Sequence, residues 1–170
     1  MKKRIFSLLT SLVMVISLVG VVPSMTALAG NGLTWPVPGH TNLSRGYHSG
    51  YCIDISDSNI AGATIVAAQS GTVYKKYTCS TQHYGSKTGC DGFGTGLIIK
   101  GDDNRYYGYA HMRGGSIPQD VYQGAYISKG KKIGEVGTTG NSSGNHLHFY
   151  CGSTPCKNYS LFLTYYRMSH

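Results

Sequence analysis

Residues 144–149, Gly-Asn-His-Leu-His-Phe, indicate most clearly how this chain folds. Side chains alternate between the two faces of a β-strand, so His146 and His148 share one face while Leu147 and Phe149 share the other. Apolar residues at every second position are typical of a strand that packs one side on a core. The pattern predicts a strand whose opposite face carries two histidines, with backbones about 7 Å apart. A solvated strand face would show the same pair, so the rest of the chain decides what the histidines do.

Glycine-punctuated, β-rich runs occupy most of the remaining chain, which contains 24 glycines. β-branched and aromatic residues between turn residues are typical of strands. The predicted strands are residues 64–68, 72–77, 96–100, 105–110, 132–136 and 146–151. Only the tail, residues 161–168, favours a helix. We therefore expect an all-β single domain with long loops, built as an antiparallel sheet or a partly open barrel.

The first 29 residues have the pattern of an export signal. Lys2, Lys3 and Arg4 precede an apolar run over residues 5–22, and residues 27–29, Ala-Leu-Ala, form a signal-peptidase site. The length of the run also permits a retained membrane anchor. The cleavage site favours removal, so we expect a signal peptide at residues 1–29 and a domain at residues 30–170. No second apolar run follows, and we expect a secreted, cell-wall-associated protein without stable membrane insertion.

The composition points to an anionic partner outside the cell. Without the three basic residues of the signal, twelve basic residues face seven acids, a net charge of +5. No Lys/Arg stripe suggests nucleic-acid binding. Fourteen tyrosines suit half-buried strands and a groove for an extended polymer. Wall polymer or a membrane surface therefore fits better than nucleic acid, and we expect a monomer.

All five cysteines follow the signal segment, and exported cysteines usually form disulfides. Cys79 and Cys90 flank one loop, and Cys151 and Cys156 flank another, so each pair would staple a loop. These spacings do not resemble a zinc site of two Cys-x-x-Cys pairs. Cys52 remains odd.

Three further polar residues stand out beside the His-x-His pair. Asp54 lies in Tyr-Cys-Ile-Asp-Ile, where an unpaired buried carboxylate would be costly and a cation would compensate it. His48 is six positions earlier, on the same strand face, but a fully extended chain would separate the two by about 20 Å. A bend at Gly50 would close that gap. His111 ends another predicted strand, in Tyr-Ala-His-Met.

Four segments together resemble the lysostaphin/LytM-type zinc endopeptidases. They are the early His and Asp, residues 62–73 (Gly-Ala-Thr-Ile-Val-Ala-Ala-Gln-Ser-Gly-Thr-Val), Tyr-Ala-His-Met, and the glycine-rich residues 129–149 that end in His-Leu-His-Phe. The resemblance covers residues 35–150. It implies an antiparallel β domain that hydrolyses peptide bonds in the stem peptides or cross-bridges of bacterial peptidoglycan.

The resemblance also implies roles for individual residues. Asp54 and His148 would be zinc ligands, and His111 and His146 the two catalytic histidines that do not bind the metal. The family's first motif places His and Asp four residues apart, but position 50 here is glycine. His48 is the preferred substitute as third ligand, and His40 is the weaker candidate. Which of the two catalytic histidines acts as the base stays open.

The residue types support this chemistry independently. One zinc ion held by three protein ligands keeps an open position, where it lowers the pKa of water toward ~7. Glu135 is the only glutamate and has no neighbouring histidine, so a His-Glu-x-x-His site is impossible. Neutral imidazole has a suitable pKa for a general base.

Three other functions compete with a zinc peptidase. An inactive relative that only binds or activates another wall hydrolase would explain the displaced first histidine. A Cys-His hydrolase built on Cys52 and His111 would leave the His-x-His pair and Asp54 without a role. A biotinyl- or lipoyl-type carrier would share the hairpin near Glu135, but export and the cysteines argue against it.

Overall fold

Antiparallel strands dominate the described part of the chain. The computed structural model describes residues 32–48, 52–79 and 92–153. Within these ranges it contains nine strands and no α-helix. The described residues thus include no helix long and apolar enough to span a membrane. The strands are β1 (Leu43–His48), β2 (Cys52–Ile55), β3 (Thr64–Val66), β4 (Gly71–Tyr77), β5 (Thr95–Gly101), β6 (Tyr106–Met112), β7 (Tyr126–Ile127), β8 (Lys132–Glu135) and β9 (Leu147–Gly152). The predicted all-β fold is confirmed.

The strand order places an early and a late segment side by side. Seven strands form an open sheet in the order β1-β2-β9-β6-β5-β4-β7, and β3 pairs with β8 in a second sheet. All pairings are antiparallel. The sheet does not close into a barrel, since β1 and β7 are its edges. The late strand β9 therefore lies between β2 and β6, near the centre of the sheet.

The two faces of the large sheet differ in character. Ile53 of β2 pairs with Phe149 of β9, and both are fully buried in the main core. Their neighbours along the strands, Asp54 and His148, pair with each other on the opposite face and are only half-buried. The predicted alternation of β9 is confirmed, because Leu147 is also fully buried. One face thus holds the core and the other is left for polar chemistry.

The predicted strands match observed ones to within one or two residues at most ends. Three strands are absent from the predicted set, namely β1, β2 and β7. β1 is largely exposed, contains Gly46 and shows no apolar alternation, and it is held by its pairing with β2. β7 has only two residues. The predicted helix at residues 161–168 lies outside the described residues.

The cysteines occupy different parts of the fold. Cys151 packs in the main core, whereas Cys52 packs with Ile98 and Tyr150 in a smaller cluster on the polar face. Cys151 has a buried thiol, which contradicts the predicted disulfide between Cys151 and Cys156. Cys90 and Cys156 lie outside the described residues, so the link between Cys79 and Cys90 stays a prediction.

Candidate metal centre

Three neighbouring segments of the sheet bring His48, Asp54 and His148 together. His48 ends β1 and pairs with Cys52 at the start of β2, so the chain reverses between them. Two residues further along β2, Asp54 pairs with His148 of β9. The reversal removes the separation that an extended chain would impose on His48 and Asp54. Gly50 lies outside the described residues, so the bend at that position stays a prediction.

The side-chain atoms of these three residues converge. Oδ1 of Asp54 lies 2.8 Å from Nδ1 of His148, and its Oδ2 lies 3.3 Å from Nε2 of His48. One ligand atom from each of the three residues lies within 4.8 Å of the other two. This spacing suits a common metal ion, and the donor set of two imidazoles and one carboxylate is one that zinc accepts.

His40, the weaker candidate for the first ligand, lies in a different pair. Its Nδ1 is 2.8 Å from Oδ2 of Asp57. This hydrogen bond keeps the pKa of the partly buried Asp57 carboxyl below its ordinary value. The geometry therefore groups His48, rather than His40, with Asp54 and His148.

Two more imidazoles border the group, as the sequence predicted. The ring centroid of His111 lies 4.7 Å from that of His146 and 5.7 Å from that of His148. Nε2 of His146 is 3.8 Å from Oδ1 of Asp54. Four histidines and one aspartate thus share one site on the polar face of the sheet.

A threonine that the sequence did not single out orients His111. The carbonyl oxygen of Thr139 accepts a hydrogen bond from Nδ1 of His111 at 2.8 Å, which leaves Nε2 as the lone-pair nitrogen. The hydroxyl of Thr139 donates to the Met112 carbonyl at 2.6 Å and accepts from the Thr95 amide at 2.9 Å. Thr139 is polar yet only 7% exposed. The sequence Gly-Thr-Thr-Gly around Thr139 predicts a turn, but it does not predict these long-range contacts.

A β-bulge places His111 in an unusual backbone conformation. Thr95 pairs with Met112 and Leu97 with Tyr109, so β6 has one residue more than β5 across this step. His111 has φ of 60°, in the left-handed region that non-glycine residues rarely adopt. Such strain costs roughly 1–3 kcal/mol and tends to occur at functional sites. The bulge turns the His111 side chain to the same site as His148.

The other histidines are also oriented by backbone carbonyls. Nδ1 of His146 lies 2.9 Å from the Gly144 carbonyl oxygen, and the His146 amide donates to Gly137 at 3.2 Å. Nδ1 of His48 donates to the Gly46 carbonyl at 2.7 Å. A carbonyl only accepts, so each ring carries its proton on Nδ1 and presents Nε2 to the site.

The electrostatics of the site favour an ionised Asp54 and a neutral His111. Burial raises the pKa of Asp54, but the hydrogen bond from His148 and the nearby imidazoles outweigh it and keep that pKa below its ordinary value. Burial, reinforced by His146 and His148, lowers the pKa of His111 to about 4. None of the described lysines or arginines pairs with Asp54. A bound cation would therefore meet a negative charge that no cationic side chain offsets.

Cys52 is poorly placed for the alternative Cys-His chemistry. Its side chain is fully buried against Ile98 and Tyr150. A nucleophilic thiol needs a partly exposed position where its thiolate is favoured. The position of Cys52 fits a packing role instead.

A family comparison covers the same segments. The model of peptidase family M23 matches residues 46–156, which is well over half of the chain. The match includes the metal-centre residues His48, Asp54 and His148, together with His111 and His146.

Solved structures show the same fold. Helicobacter pylori Csd3 matches with a TM-score of 0.59 at 23% identity, over 81% of this chain and 35% of that chain. The antimicrobial peptidase lysostaphin from Staphylococcus simulans matches with 0.54 at 23% identity, over 71% and 46%. A zinc-containing peptidase from Vibrio cholerae matches with 0.54 at 20% identity, over 71% and 36%. The chain thus spans less than half of each of these proteins, and the likeness establishes the fold.

Proposed function

The chain belongs to peptidase family M23, and on that basis we propose that it is a secreted zinc metalloendopeptidase that hydrolyses peptide bonds in bacterial peptidoglycan. The substrate class would be the stem peptides or cross-bridges of the wall. The observation that supports this proposal is the convergence of His48, Asp54 and His148 beside two further imidazoles. A cluster with only a structural role would not need His111 and His146 beside it.

The three converging residues would hold one zinc ion. Their ligand atoms are close enough to share it, and Asp54 supplies the negative charge. When bound, zinc with three protein ligands supplies Lewis-acid activation of a water molecule and of the scissile carbonyl. The hydrogen bond from Nδ1 of His48 to the Gly46 carbonyl orients that ring in the absence of a metal.

His111 and His146 would transfer the proton of the attacking water and stabilise the negative charge that develops on the oxyanion. Each presents Nε2 to the site, and the burial of His111 keeps it neutral at pH 7. One of the two would accept the proton of the attacking water and pass it to the leaving amine, and the other, with Nε2 protonated from solvent, would donate a hydrogen bond to the oxyanion. Their side-by-side placement suits this division of roles.

Purified sacculi provide the test. The zinc-loaded protein should release soluble peptides, a chelator should stop the release, and added zinc should restore it. His148→Ala and Asp54→Ala should lose the metal. His111→Ala and His146→Ala should keep zinc but lower turnover by about 10²–10⁴-fold. Equal zinc loss in all four variants would contradict the assigned roles.

An inactive wall-binding relative is the second candidate, because the first histidine lies two residues from the family's usual position. The short distance from His48 to Asp54, 3.3 Å, favours the active enzyme. Zinc content separates the two: about one ion per purified chain supports the peptidase, and none supports the binding protein.

A further inference from the structure

A cavity lies beside the candidate metal centre and plays no part in the roles described so far. Its volume is about 460 Å³. Its walls come from the turn at Ala61 and Gly62, from Arg113 and Gly114 after β6, and from residues 136–139 and Asn145. Most of these residues are small or glycine, so backbone forms much of the lining.

The cavity shares its walls with the segments that position both non-ligand histidines. Thr139 lines it and accepts the hydrogen bond from His111. Gly137 lines it and accepts the backbone hydrogen bond from His146. A group that fills the cavity would therefore lie next to the place where a substrate would meet these imidazoles.

Arg113 is the cationic side chain in this lining. Its side chain is 66% exposed, and its ion pair is with Glu135, at 3.3 Å from Nη1. Glu135 is also bound by Lys132 at 2.9 Å, so one carboxylate is shared between two cations. A guanidinium has five N–H donors, and one long contact leaves most of them available to a ligand.

Gly62 keeps the wall opposite Arg113 open. It has φ of 73°, and a Cβ at this position would lie 3.8 Å from Nη1 of Arg113. A larger side chain would extend toward the guanidinium and reduce the space beside it. Glycine at this position thus adds no side chain beside the guanidinium.

We propose that this cavity is a substrate subsite that recognises a free carboxylate of the wall peptide through Arg113. The inference rests on the proposed peptidase function. Guanidinium and carboxylate match as planar, bidentate partners, and Lys132 shares the Glu135 carboxylate that contacts Arg113.

Matched substrates test the subsite. The wall peptide that spans the bond cleaved in sacculi is synthesised with its free carboxylates intact and with each one in turn converted to the carboxamide. One of these conversions should lower kcat/KM of the zinc-loaded protein by about tenfold. Arg113→Gln should lower kcat/KM for the carboxylate peptide to the same extent and leave the carboxamide peptide within about twofold. If the variant keeps the native preference, or loses equally on both peptides, the subsite is wrong.

Lys132→Gln provides the matched control. Lys132 contacts the same Glu135 but does not line the cavity. Lys132→Gln should keep the preference for the carboxylate peptide over the carboxamide peptide. The control thus separates the loss of an ion pair with Glu135 from the loss of carboxylate recognition by Arg113. A lost preference in Lys132→Gln would overturn the assignment to Arg113.

Binding to the metal-free protein gives a second measurement. Calorimetric titration with the two peptides should show the same preference in the native chain and its loss in Arg113→Gln, with unchanged zinc content on reloading. Failure of the proposed function looks different: the native zinc-loaded protein would then cleave neither peptide.

Discussion

Three backbone carbonyls fix the imidazoles of the candidate metal centre. Gly46, Thr139 and Gly144 accept hydrogen bonds from Nδ1 of His48, His111 and His146. Carbonyl partners hold a ring without adding a charge beside the metal. Replacement of a neighbouring side chain should therefore leave these ring orientations largely intact, which makes single-residue tests informative.

The choice between His48 and His40 can be decided by paired variants. His48→Ala should abolish zinc binding, because it removes an imidazole 3.3 Å from the Asp54 carboxylate. His40→Ala should retain about one zinc per chain, since His40 pairs with Asp57 instead. Zinc per chain, measured by elemental analysis after dialysis, checks both. Retained zinc in His48→Ala would remove it from the ligand set.

The strained backbone at His111 has a thermodynamic signature. At φ of 60° a Cβ is unfavourable, so His111→Gly should be more stable than His111→Ala by about 1 kcal/mol in the metal-free protein. Urea denaturation measures the difference. Lys100, an exposed strand residue, is the control: there Gly should be less stable than Ala by about 0.5–1 kcal/mol. The same order at both positions would show that the bulge is unstrained.

At the scale of elements, a glycine lets two strands of the large sheet pack around an aromatic ring. Gly108 of β6 pairs with Tyr150 of β9, and a Cβ on Gly108 would lie 1.5 Å from the Tyr150 ring. Tyr150 is 1% exposed, so its ring has little room to move. This contact helps to fix β9, and with it His148, against β6.

Substitution of this glycine should therefore be costly. We expect Gly108→Ala to lower the free energy of unfolding by about 3 kcal/mol, because the buried ring must be displaced. Gly46→Ala, in open space on β1, should change it by less than about 0.5 kcal/mol. Denaturant midpoints of both variants, each without metal, provide the comparison. Equal effects would show that Tyr150 can move aside.

The elements that were predicted from sequence are those whose pattern is local. β9 follows from the alternation of Leu147, His148 and Phe149, and β5 and β6 from their β-branched and aromatic runs. β1 was missed because its exposed residues carry no alternation and its pairing partner is not visible in sequence. The bulge at His111 and the contacts of Thr139 depend on residues far along the chain, which local patterns do not encode.

At the scale of the whole molecule, the candidate metal centre joins adjacent strands that are far apart in sequence. Asp54 and His148 are 94 residues apart in sequence, yet they pair directly. The family resemblance predicted their shared role, but only the strand order explains how they meet. The signal segment at residues 1–29 lies outside the described residues, and its removal stays a prediction.

Metal binding should therefore stabilise the entire sheet. Zinc at about 1,000 times its Kd should add about 4 kcal/mol and raise Tm by about 10 °C over the chelated protein. Asp54→Asn should lose this shift, whereas Asp57→Asn, outside the metal centre, should keep it. Thermal unfolding followed by circular dichroism measures all three. An unchanged Tm in the native chain would contradict a metal that bridges β2 and β9.

The central position of β9 has a consequence for how the protein is made. A nascent chain that has not yet reached residue 147 contains Asp54 but lacks β9, the strand that carries His148 and lies between β2 and β6. The five-residue site cannot assemble until synthesis has passed residue 148. The order of synthesis thus keeps the candidate metal centre incomplete until β9 joins the sheet.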